Sequence, residues 1–284
     1  MDWIVGQSQL TVRPLPPDAN EKLSRGARKG FPSGPRRGII CGMSGAQKEP
    51  GKFTLGDTPR VVGSVSQEGT LARLAARAER DCDIVEVRVD LIGPYAPHSP
   101  RAGAEPVWFK HAQAIEARGL PVVVTVRLAT EGGKWKQPDE LRLPLFEEAM
   151  RHLAAADIEL RSPILEPVSA MAREHGRALI VSHHDFGRTP PLEELRVIVD
   201  KASRYGTVAK IATMIRNEDD LAILRALLAE RRHTPLCVLG MGPMGPQTRI
   251  DFPKLGSCLT YGYLDTPIAP GQASARELMR QLHG

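Results

Sequence analysis

Alternation of apolar and polar residues is clearest at positions 85–91, which read VEVRVDL. In a β-strand this pattern places the valines on one face and Glu86, Arg88 and Asp90 on the opposite face. From residue 59 onward, short runs rich in β-branched residues alternate with segments in which Leu, Ala and Val recur at helical spacing. Strands that alternate with helices predict βαβ units and a parallel sheet.

The pattern predicts eight strands, at residues 60–65, 83–89, 121–127, 156–160, 178–184, 207–213, 235–241 and 257–262. Helical patterns at 68–81, 164–176, 192–206 and 217–233 are long enough to cross between parallel strands. Eight β/α units favour a TIM (β/α)8 barrel, an α/β fold in which functional side chains collect at the carboxyl ends of the strands. A doubly wound open sheet is the alternative, but no GxGxxG follows an early strand.

Residues 1–58 differ from the rest of the chain in composition and in periodicity. They contain 15 Gly or Pro residues and show no sustained helical or strand period. This composition predicts a disordered N-terminal extension, followed by a barrel catalytic domain at 59–284. Because Met43 lies close to the first strand, residues 1–42 are either a genuine tail or an over-extended start.

Charge and cysteine usage narrow the class of protein. The formal net charge is +5, and residues 1–58 hold nine Lys or Arg against five Asp or Glu, so almost all of the excess lies outside the barrel. This distribution disfavours a nucleic-acid partner. No apolar run of 18 residues and no secretory signal is visible, so we expect a cytoplasmic protein with no membrane partner. The cysteines lack CxxC spacing and are expected to be buried free thiols: Cys41, Cys82, Cys237 and Cys258.

Several polar residues share the inward face of the predicted barrel. Strand parity points Thr125 and Arg127 inward from one strand, Ser182 and His184 from another, and Lys210 from a third. Buried charges are costly unless they are paired, so charges that converge on one barrel mouth must neutralise each other or bind a charged ligand. We therefore expect the functional site at this mouth.

Lys210 and His184 are the strongest candidates for chemistry. Lys210 lies in the middle of the apolar strand TVAKIAT, and burial beside arginines favours a neutral amine that can attack a carbonyl and form a Schiff base. The alternative is a structural ion pair between Lys210 and Glu86 or Asp90. His184 ends the preceding strand in SHHDF, where an imidazole can act as a general base, whereas its neighbour His183 should face outward.

A series of motifs then resembles a known family. The series comprises EVRVDL (86–91), TVR with EGG (125–127 and 131–133), DIEL (157–160), SHHDF (182–186), AKIA (209–212), Arg249 and APGQ (269–272). In this order and on these strands, the motifs resemble the type I 3-dehydroquinate dehydratases, the Schiff-base dehydratases of the shikimate pathway. The resemblance extends over residues 59–284.

The resemblance implies a mechanism without metal or organic cofactor. Lys210 would form an imine with the C3 ketone of 3-dehydroquinate, the small-molecule substrate. His184 would remove a C2 proton and then protonate the departing C1 hydroxyl, a syn elimination that yields 3-dehydroshikimate. Glu131 would orient His184. The resemblance also implies a homodimer.

The resemblance further implies a polar floor for an anionic substrate. Arg249 and Arg127 would bind the carboxylate and hydroxyl groups, because a guanidinium can hold a carboxylate by two hydrogen bonds. Glu86 and Arg88 would read the ring hydroxyls near the imine. The charged face of VEVRVDL is therefore expected to serve the substrate.

Residues near the C-terminus would complete the pocket. Gln272 would close over the substrate, and Met241 and Tyr261 would supply apolar walls. The family often has a serine or another polar residue four positions before the glutamine, whereas this chain has Ile268. Losing such a hydrogen bond would cost about 1 kcal/mol of binding.

Two alternatives remain at this point. A class I aldolase or transaldolase also uses a strand lysine, but no Gly-rich phosphate cradle follows the seventh or eighth predicted strand. A non-catalytic quinate or shikimate sensor would keep the pocket and lose turnover. Lys210, His184 and Glu131 argue against a sensor, and Ile268 argues weakly for one.

Overall fold

The computed structural model describes residues 53–56, 58–77, 80–92, 106–230, 232–268 and 272–284. The strands in this part of the chain are β1 Arg60–Val65, β2 Ile84–Arg88, β3 Val122–Thr125, β4 Ala155–Glu159, β5 Ala178–Asp185, β6 Val208–Met214, β7 Leu236–Met241 and β8 Leu259–Tyr263. Each pairs with its neighbours in parallel, in the order β7-β6-β5-β4-β3-β2-β1-β8. The predicted eight-stranded parallel barrel is confirmed.

Helices follow the strands and cover the outside of the sheet. They are α1 Glu68–Ala76, α2 Val89–Ile92, α3 Val107–Ala117, α4 Leu143–His152, α5 Leu165–Glu174, α6 Leu192–Tyr205, α7 Glu218–Ala229, α8 Gly245–Lys254 and α9 Ala275–His283. Short 3₁₀ turns occur at Ala129–Glu131 and Asp139–Arg142. The four helical patterns found in the sequence correspond to α1, α5, α6 and α7.

Helix α7 shows why these segments are helical. It begins after Asn217, whose side-chain oxygen accepts a hydrogen bond from the backbone N–H of Asp220, and acidic residues fill its first turn. Both features stabilise a helix N-terminus. Leu221, Leu224 and Leu228 recur on one buried face, so the helix packs on the sheet along an apolar stripe.

Hydrogen bonds between β7 and the segment leading into β8 complete the ring. The backbone N–H of Cys258 donates to the carbonyl of Leu236 at 2.9 Å, and Ser257 Oγ accepts from the backbone N–H of Val238 at 2.9 Å. The strands therefore enclose a single interior.

Two apolar layers flank the sheet, as strand parity predicts. Val85 and Val87 belong to the layer between strands and helices, whereas Val123, Ile180 and Val208 belong to the cluster inside the barrel. His183 is buried on the outer side, where it lines a surface cavity with residues of α5 and α6. The predicted orientations of these side chains are confirmed.

Most strand boundaries differ from the predicted ones by one or two residues, and the end of β2 shows a physical reason. β2 ends at Arg88, and Val89–Ile92 form the short helix α2, although alternation had extended the strand to residue 89. Asp90 thus lies on a helical turn, where its carboxylate reaches back to Arg88. A bidentate ion pair satisfies both buried charges at this turn.

Two described residues that precede β1 pack at the amino-terminal end of the barrel. Phe53 and Leu55 contact the inner apolar cluster, and the Arg60 guanidinium lies over the Phe53 ring at 5.8 Å. These residues fall within the predicted N-terminal extension, most of which lies outside the described residues. The barrel packing therefore includes residues before position 59.

The cysteines that the structure describes, Cys82, Cys237 and Cys258, are buried free thiols, as expected, and Cys41 lies outside the described residues. Within the described ranges, no helix has the length and apolar character that crossing a bilayer demands.

Candidate active site

A cavity of about 130 Å³ opens among the carboxyl ends of the strands. Its lining includes Ser64 near the end of β1, Met241 at the end of β7 and Ile268. Every residue to which the sequence analysis assigned a catalytic or substrate-binding role lines this one cavity: Glu86, Arg88, Arg127, Glu131, His184, Lys210, Met241, Arg249, Tyr261 and Gln272.

Lys210 projects from β6 into the cavity and is almost completely buried. Its Nζ lies 2.9 Å from Oδ2 of Asp157 on β4, and 3.9 Å from the centroid of the Tyr261 ring. The alternative pairing of Lys210 with Glu86 or Asp90 is wrong, because the carboxylate that the lysine meets is Asp157. Strand parity identified the face on which Lys210 lies but not the acid opposite it.

Asp157 is the charged centre of the inner network. Besides Lys210, it accepts hydrogen bonds from Arg127 Nη2 at 2.6 Å and from Ser182 Oγ at 2.7 Å. Burial alone would raise the pKa of Asp157, but Arg127 and Lys210 outweigh burial and lower it below its usual range. Asp157 is therefore a permanent anion beside the amine.

Arg127 is held by protein acids at the floor of the cavity. Its Nη1 lies 2.9 Å from Glu159 Oε1 and donates to Ser182 Oγ at 2.8 Å. Burial alone would lower the pKa of Arg127, whereas Asp157 and Glu159 together raise it. Much of its hydrogen-bonding capacity is thus used by the protein, and the substrate-binding role predicted for Arg127 is limited to its remaining N–H groups.

The sequence analysis missed a second layer of charges beneath Arg127. Glu159 accepts from Arg142 Nη1 at 2.7 Å and from the backbone N–H of Leu128 at 3.0 Å. Arg142 is completely buried, and its Nη1 also donates to the carbonyl of Val126 at 2.6 Å. These contacts fix the segment between β3 and α4. The DIEL motif contained Asp157 and Glu159, but no local pattern singled out Arg142.

His184 and Glu131 form the predicted pair. His184 Nδ1 lies 2.9 Å from Glu131 Oε2, and the imidazole stacks on the Phe186 ring with 6.3 Å between centroids. Because an ionised carboxylate only accepts hydrogen bonds, Nδ1 carries the hydrogen and Nε2 keeps a free lone pair. Burial, reinforced by Arg127 and Lys210, holds the pKa of His184 well below its usual value. The imidazole is therefore neutral and can act as a base.

The EGG turn positions Glu131. Gly132 has a φ of +80°, which favours glycine, and a Cβ added there would lie 2.5 Å from the Phe186 ring. A Cβ at Gly133 would lie 2.0 Å from the carbonyl oxygen of Arg127. The turn therefore needs both glycines to bring Glu131 against His184. Burial raises the pKa of Glu131 to about 7.

Arg249 is a buried cation that lacks an acidic partner among the described residues. It lies on α8, and its Nη1 donates to the carbonyls of Gly240 and Gly245 at 3.0 Å each, while Nε has no partner in the described part of the chain. Burial lowers the pKa of Arg249. An anionic ligand would relieve this unbalanced charge.

The charged side chains on the inward face of β2 form hydrogen bonds with neighbouring residues. Glu86 accepts hydrogen bonds from Ser64 Oγ at 2.5 Å and from Thr125 Oγ1 at 2.8 Å, one on each carboxylate oxygen. Arg88 donates to both oxygens of Asp90, at 2.9 and 2.8 Å. Each Glu86 oxygen keeps a lone pair that can accept from a ligand hydroxyl.

Gln272 and Ile268 meet at the rim. The side-chain oxygen of Gln272 accepts a hydrogen bond from the backbone N–H of Ile268 at 2.9 Å. Met241 and Tyr261 line the cavity beside them. The contact holds Gln272, the predicted closing residue, against Ile268 at the edge of the cavity.

Comparisons with known proteins agree with this geometry. The family model of type I 3-dehydroquinase matches residues 61–283. The 3-dehydroquinate dehydratase of Methanocella arvoryzae is 34% identical over 225 residues, which cover 79% of this chain and 95% of the relative. The enzyme of the same name from Methanococcoides burtonii is 34% identical over 82% of this chain and 97% of its own.

Solved structures point the same way. The type I 3-dehydroquinate dehydratase of Clostridium difficile, solved with covalent modified comenic acid, superposes with a TM-score of 0.70 at 25% identity, over 81% of this chain and 94% of that chain. The Aquifex aeolicus 3-dehydroquinate dehydratase gives a TM-score of 0.65 at 27% identity, over 78% and 96% of the two chains. Because the family model spans most of the chain, the chain belongs to the type I 3-dehydroquinase family.

Proposed function

We propose that this protein removes water from 3-dehydroquinate through a Schiff base on Lys210 and releases 3-dehydroshikimate. The observation that carries the proposal is the presence of a buried amine and a neutral imidazole in one cavity, Lys210 and His184. The names of the curated relatives support the substrate.

Groups around Lys210 assist the formation of the imine. The amine gives up a proton, adds to the C3 carbonyl carbon and forms a C=N bond as the carbonyl oxygen leaves in water. The neutral His184 can accept this proton and return it to the departing oxygen, so the imidazole is neutral again before the elimination begins. The protonated imine keeps a positive charge at the position where Asp157 and the Tyr261 ring already face Nζ, so both groups stabilise it.

Elimination uses His184 twice. Its free Nε2 removes the C2 proton, and the electron pair moves toward the protonated imine to give an enamine. The same imidazole then returns a proton to the C1 hydroxyl, which leaves as water while the enamine electrons form the C1–C2 double bond. Water hydrolyses the imine and frees Lys210. Glu131 stabilises the imidazolium formed between the two proton transfers.

Substrate binding is divided between Arg249 and Glu86. Arg249 has no acidic partner in the described part of the chain, so we assign the substrate carboxylate to it. Glu86 has lone pairs available for a ring hydroxyl. Arg88 pairs with Asp90 through Nε and Nη2, which leaves its Nη1 for the ring hydroxyl that the sequence analysis assigned to it.

Lys210, His184 and Glu131 all line the cavity, which disfavours a non-catalytic sensor. The resemblance to the Schiff-base dehydratases of the shikimate pathway supports a role in that pathway. The homodimer, the cytoplasmic location and the lack of a cofactor stay predictions.

Borohydride reduction in the presence of 3-dehydroquinate tests the mechanism. We expect a reduced adduct on Lys210 by mass spectrometry, no adduct in Lys210→Met, and a normal adduct in Lys201→Met, which changes an exposed lysine on α6. His184→Ala should still form the adduct but lose turnover, followed by the absorbance of dehydroshikimate. An unlabelled Lys210 in the wild type, or near-normal turnover of His184→Ala, contradicts the proposal.

A further inference from the structure

The sequence analysis assigned Tyr261 to an apolar wall of the pocket. Its buried hydroxyl is polar, and that assignment does not explain it. Tyr261 lies on β8, is 5% exposed and lines the cavity. Its Oη has no hydrogen-bond partner among the described residues. Buried hydroxyls are almost always hydrogen-bonded, and an unbonded one costs stability. An unpaired hydroxyl in a ligand cavity indicates a missing partner that the ligand supplies.

The position of the ring brings this hydroxyl to the reacting centre. The Tyr261 ring lies 3.9 Å below Lys210 Nζ, the atom that would bond to C3 of the substrate. Because the hydroxyl is attached to this ring, its distance from Nζ is comparable to the distance from Nζ to the hydroxyl groups of a six-membered substrate ring bound there.

The surroundings keep the hydroxyl in its donating form. Burial raises the pKa of Tyr261 well above its usual value, and the carboxylates of Asp157 and Glu86 add to the increase. The phenol is thus protonated at neutral pH. A substrate hydroxyl between Tyr261 and Glu86 can accept from the phenol and donate to the carboxylate.

Ile268, on the rim of the cavity, cannot supply such a donor. Its side chain lines the same cavity but has no polar atom, and its backbone N–H is used by Gln272. Ile268 therefore offers no hydrogen bond to a ligand in the cavity.

We propose that the Tyr261 hydroxyl donates a hydrogen bond to a ring hydroxyl of the imine-bound substrate and replaces the contact that Ile268 cannot make. This inference rests on the proposed function, because the imine on Lys210 sets the position of the substrate above the Tyr261 ring. Tyr261 is then a substrate-binding residue through its oxygen as well as its ring.

Tyr261→Phe tests the inference, because it keeps the ring and removes only the oxygen. Loss of one hydrogen bond to the substrate should raise KM about tenfold with little change in kcat. The melting temperature should stay the same or rise, because the variant no longer buries an unpaired hydroxyl. Tyr205→Phe, on α6 outside the barrel, should match the wild type in both KM and kcat. Adding Ile268→Ser to Tyr261→Phe should lower KM again.

An unchanged KM in Tyr261→Phe overturns the inference, and a lower melting temperature with an unchanged KM assigns the hydroxyl a structural role instead. Borohydride labelling of the wild type separates this failure from that of the proposed function. No adduct on Lys210 overturns the mechanism itself, whereas a normal adduct with an unchanged KM in the variant overturns only the role of the Tyr261 hydroxyl.

Discussion

His184 and Glu131 owe their chemistry to the residues around them. Burial and two neighbouring cations keep the imidazole neutral, and burial brings the pKa of Glu131 to about 7. A base must be neutral to take a proton, and its partner must be ionised to hold the Nδ1 hydrogen. The pair therefore works only above the pH at which Glu131 loses its proton.

We predict that kcat rises as the pH increases through about 7. Below this pH, Glu131 is protonated and can no longer accept the Nδ1 hydrogen of His184, so the base loses its orientation and stabilisation. In Glu131→Gln, this inflection should disappear and kcat should fall on the order of 100-fold. The pH profile of kcat from 5 to 9 measures both effects, and an inflection that survives in Glu131→Gln would contradict the assignment.

The raised pKa of Glu131 should also make the free energy of unfolding depend on pH. The pKa of Glu131 increases on folding from its ordinary value of 4.5 to about 7, so the folded state binds the proton more tightly than the unfolded state does. Its contribution is present below pH 4.5 and is lost as the pH rises to about 7, a change of about 3 kcal/mol. The lowered pKa of His184 acts in the opposite direction in both proteins. Denaturant titrations should therefore show the decline in the difference between the unfolding free energies of the wild type and Glu131→Gln.

The turn after β3 is the element that places Glu131. Its two glycines let the chain reverse beside Arg127 and Phe186, and Arg142 and Glu159 hold the following segment from below. The turn belongs to the barrel mouth, where loops carry catalytic groups and strands provide a rigid base.

Gly132→Ala and Gly119→Ala form a matched test of this turn. Their φ angles are +80° and +83°, so an alanine should cost each variant about 1–2 kcal/mol of unfolding free energy. Only the added Cβ at Gly132 meets Phe186, since no atom lies within 4 Å of the corresponding position at Gly119. We expect kcat to fall in Gly132→Ala alone. Equal kcat values in the two variants would show that the turn does not control Glu131.

At the level of the barrel, the interior divides into an apolar lower part and a charged mouth. Phe53 and Leu55 pack against the apolar cluster at the amino-terminal end, while the charged network lies at the carboxyl ends of the strands. This separation lets the mouth hold costly charges, because the apolar packing below them supplies the stability.

Two truncations test this division. Removal of residues 1–42 should leave the melting temperature and kcat unchanged. Removal of residues 1–58 also deletes Phe53 and Leu55, and loss of their buried apolar surface should lower the unfolding free energy by about 2–3 kcal/mol. Thermal unfolding and steady-state assays compare the two proteins. A similar melting temperature for both truncations would show that Phe53 and Leu55 contribute little.

Local periodicity was sufficient to predict the barrel and the strand residues that face its mouth, whereas Glu131, Arg249 and Gln272 were identified only through the family resemblance. Side chains in a strand alternate with a period of two, so parity alone separated the outward valines from Glu86 and Arg88, and it turned Lys210 inward. Strand alternation did not locate the end of β2 at Arg88, because the following helical turn depends on the pairing of Asp90 with Arg88.

The partners inside the mouth depended on the folded barrel. Parity assigns a side chain to a face but not to a height along the barrel axis, so it did not distinguish Asp157 from Glu86 or Asp90 as the partner of Lys210. The burial of Arg142 against Glu159 and the unpaired Tyr261 hydroxyl likewise arise from strands and loops far apart in the chain. Contacts of this kind are set by the register and tilt of neighbouring strands, which exist only once the ring has closed.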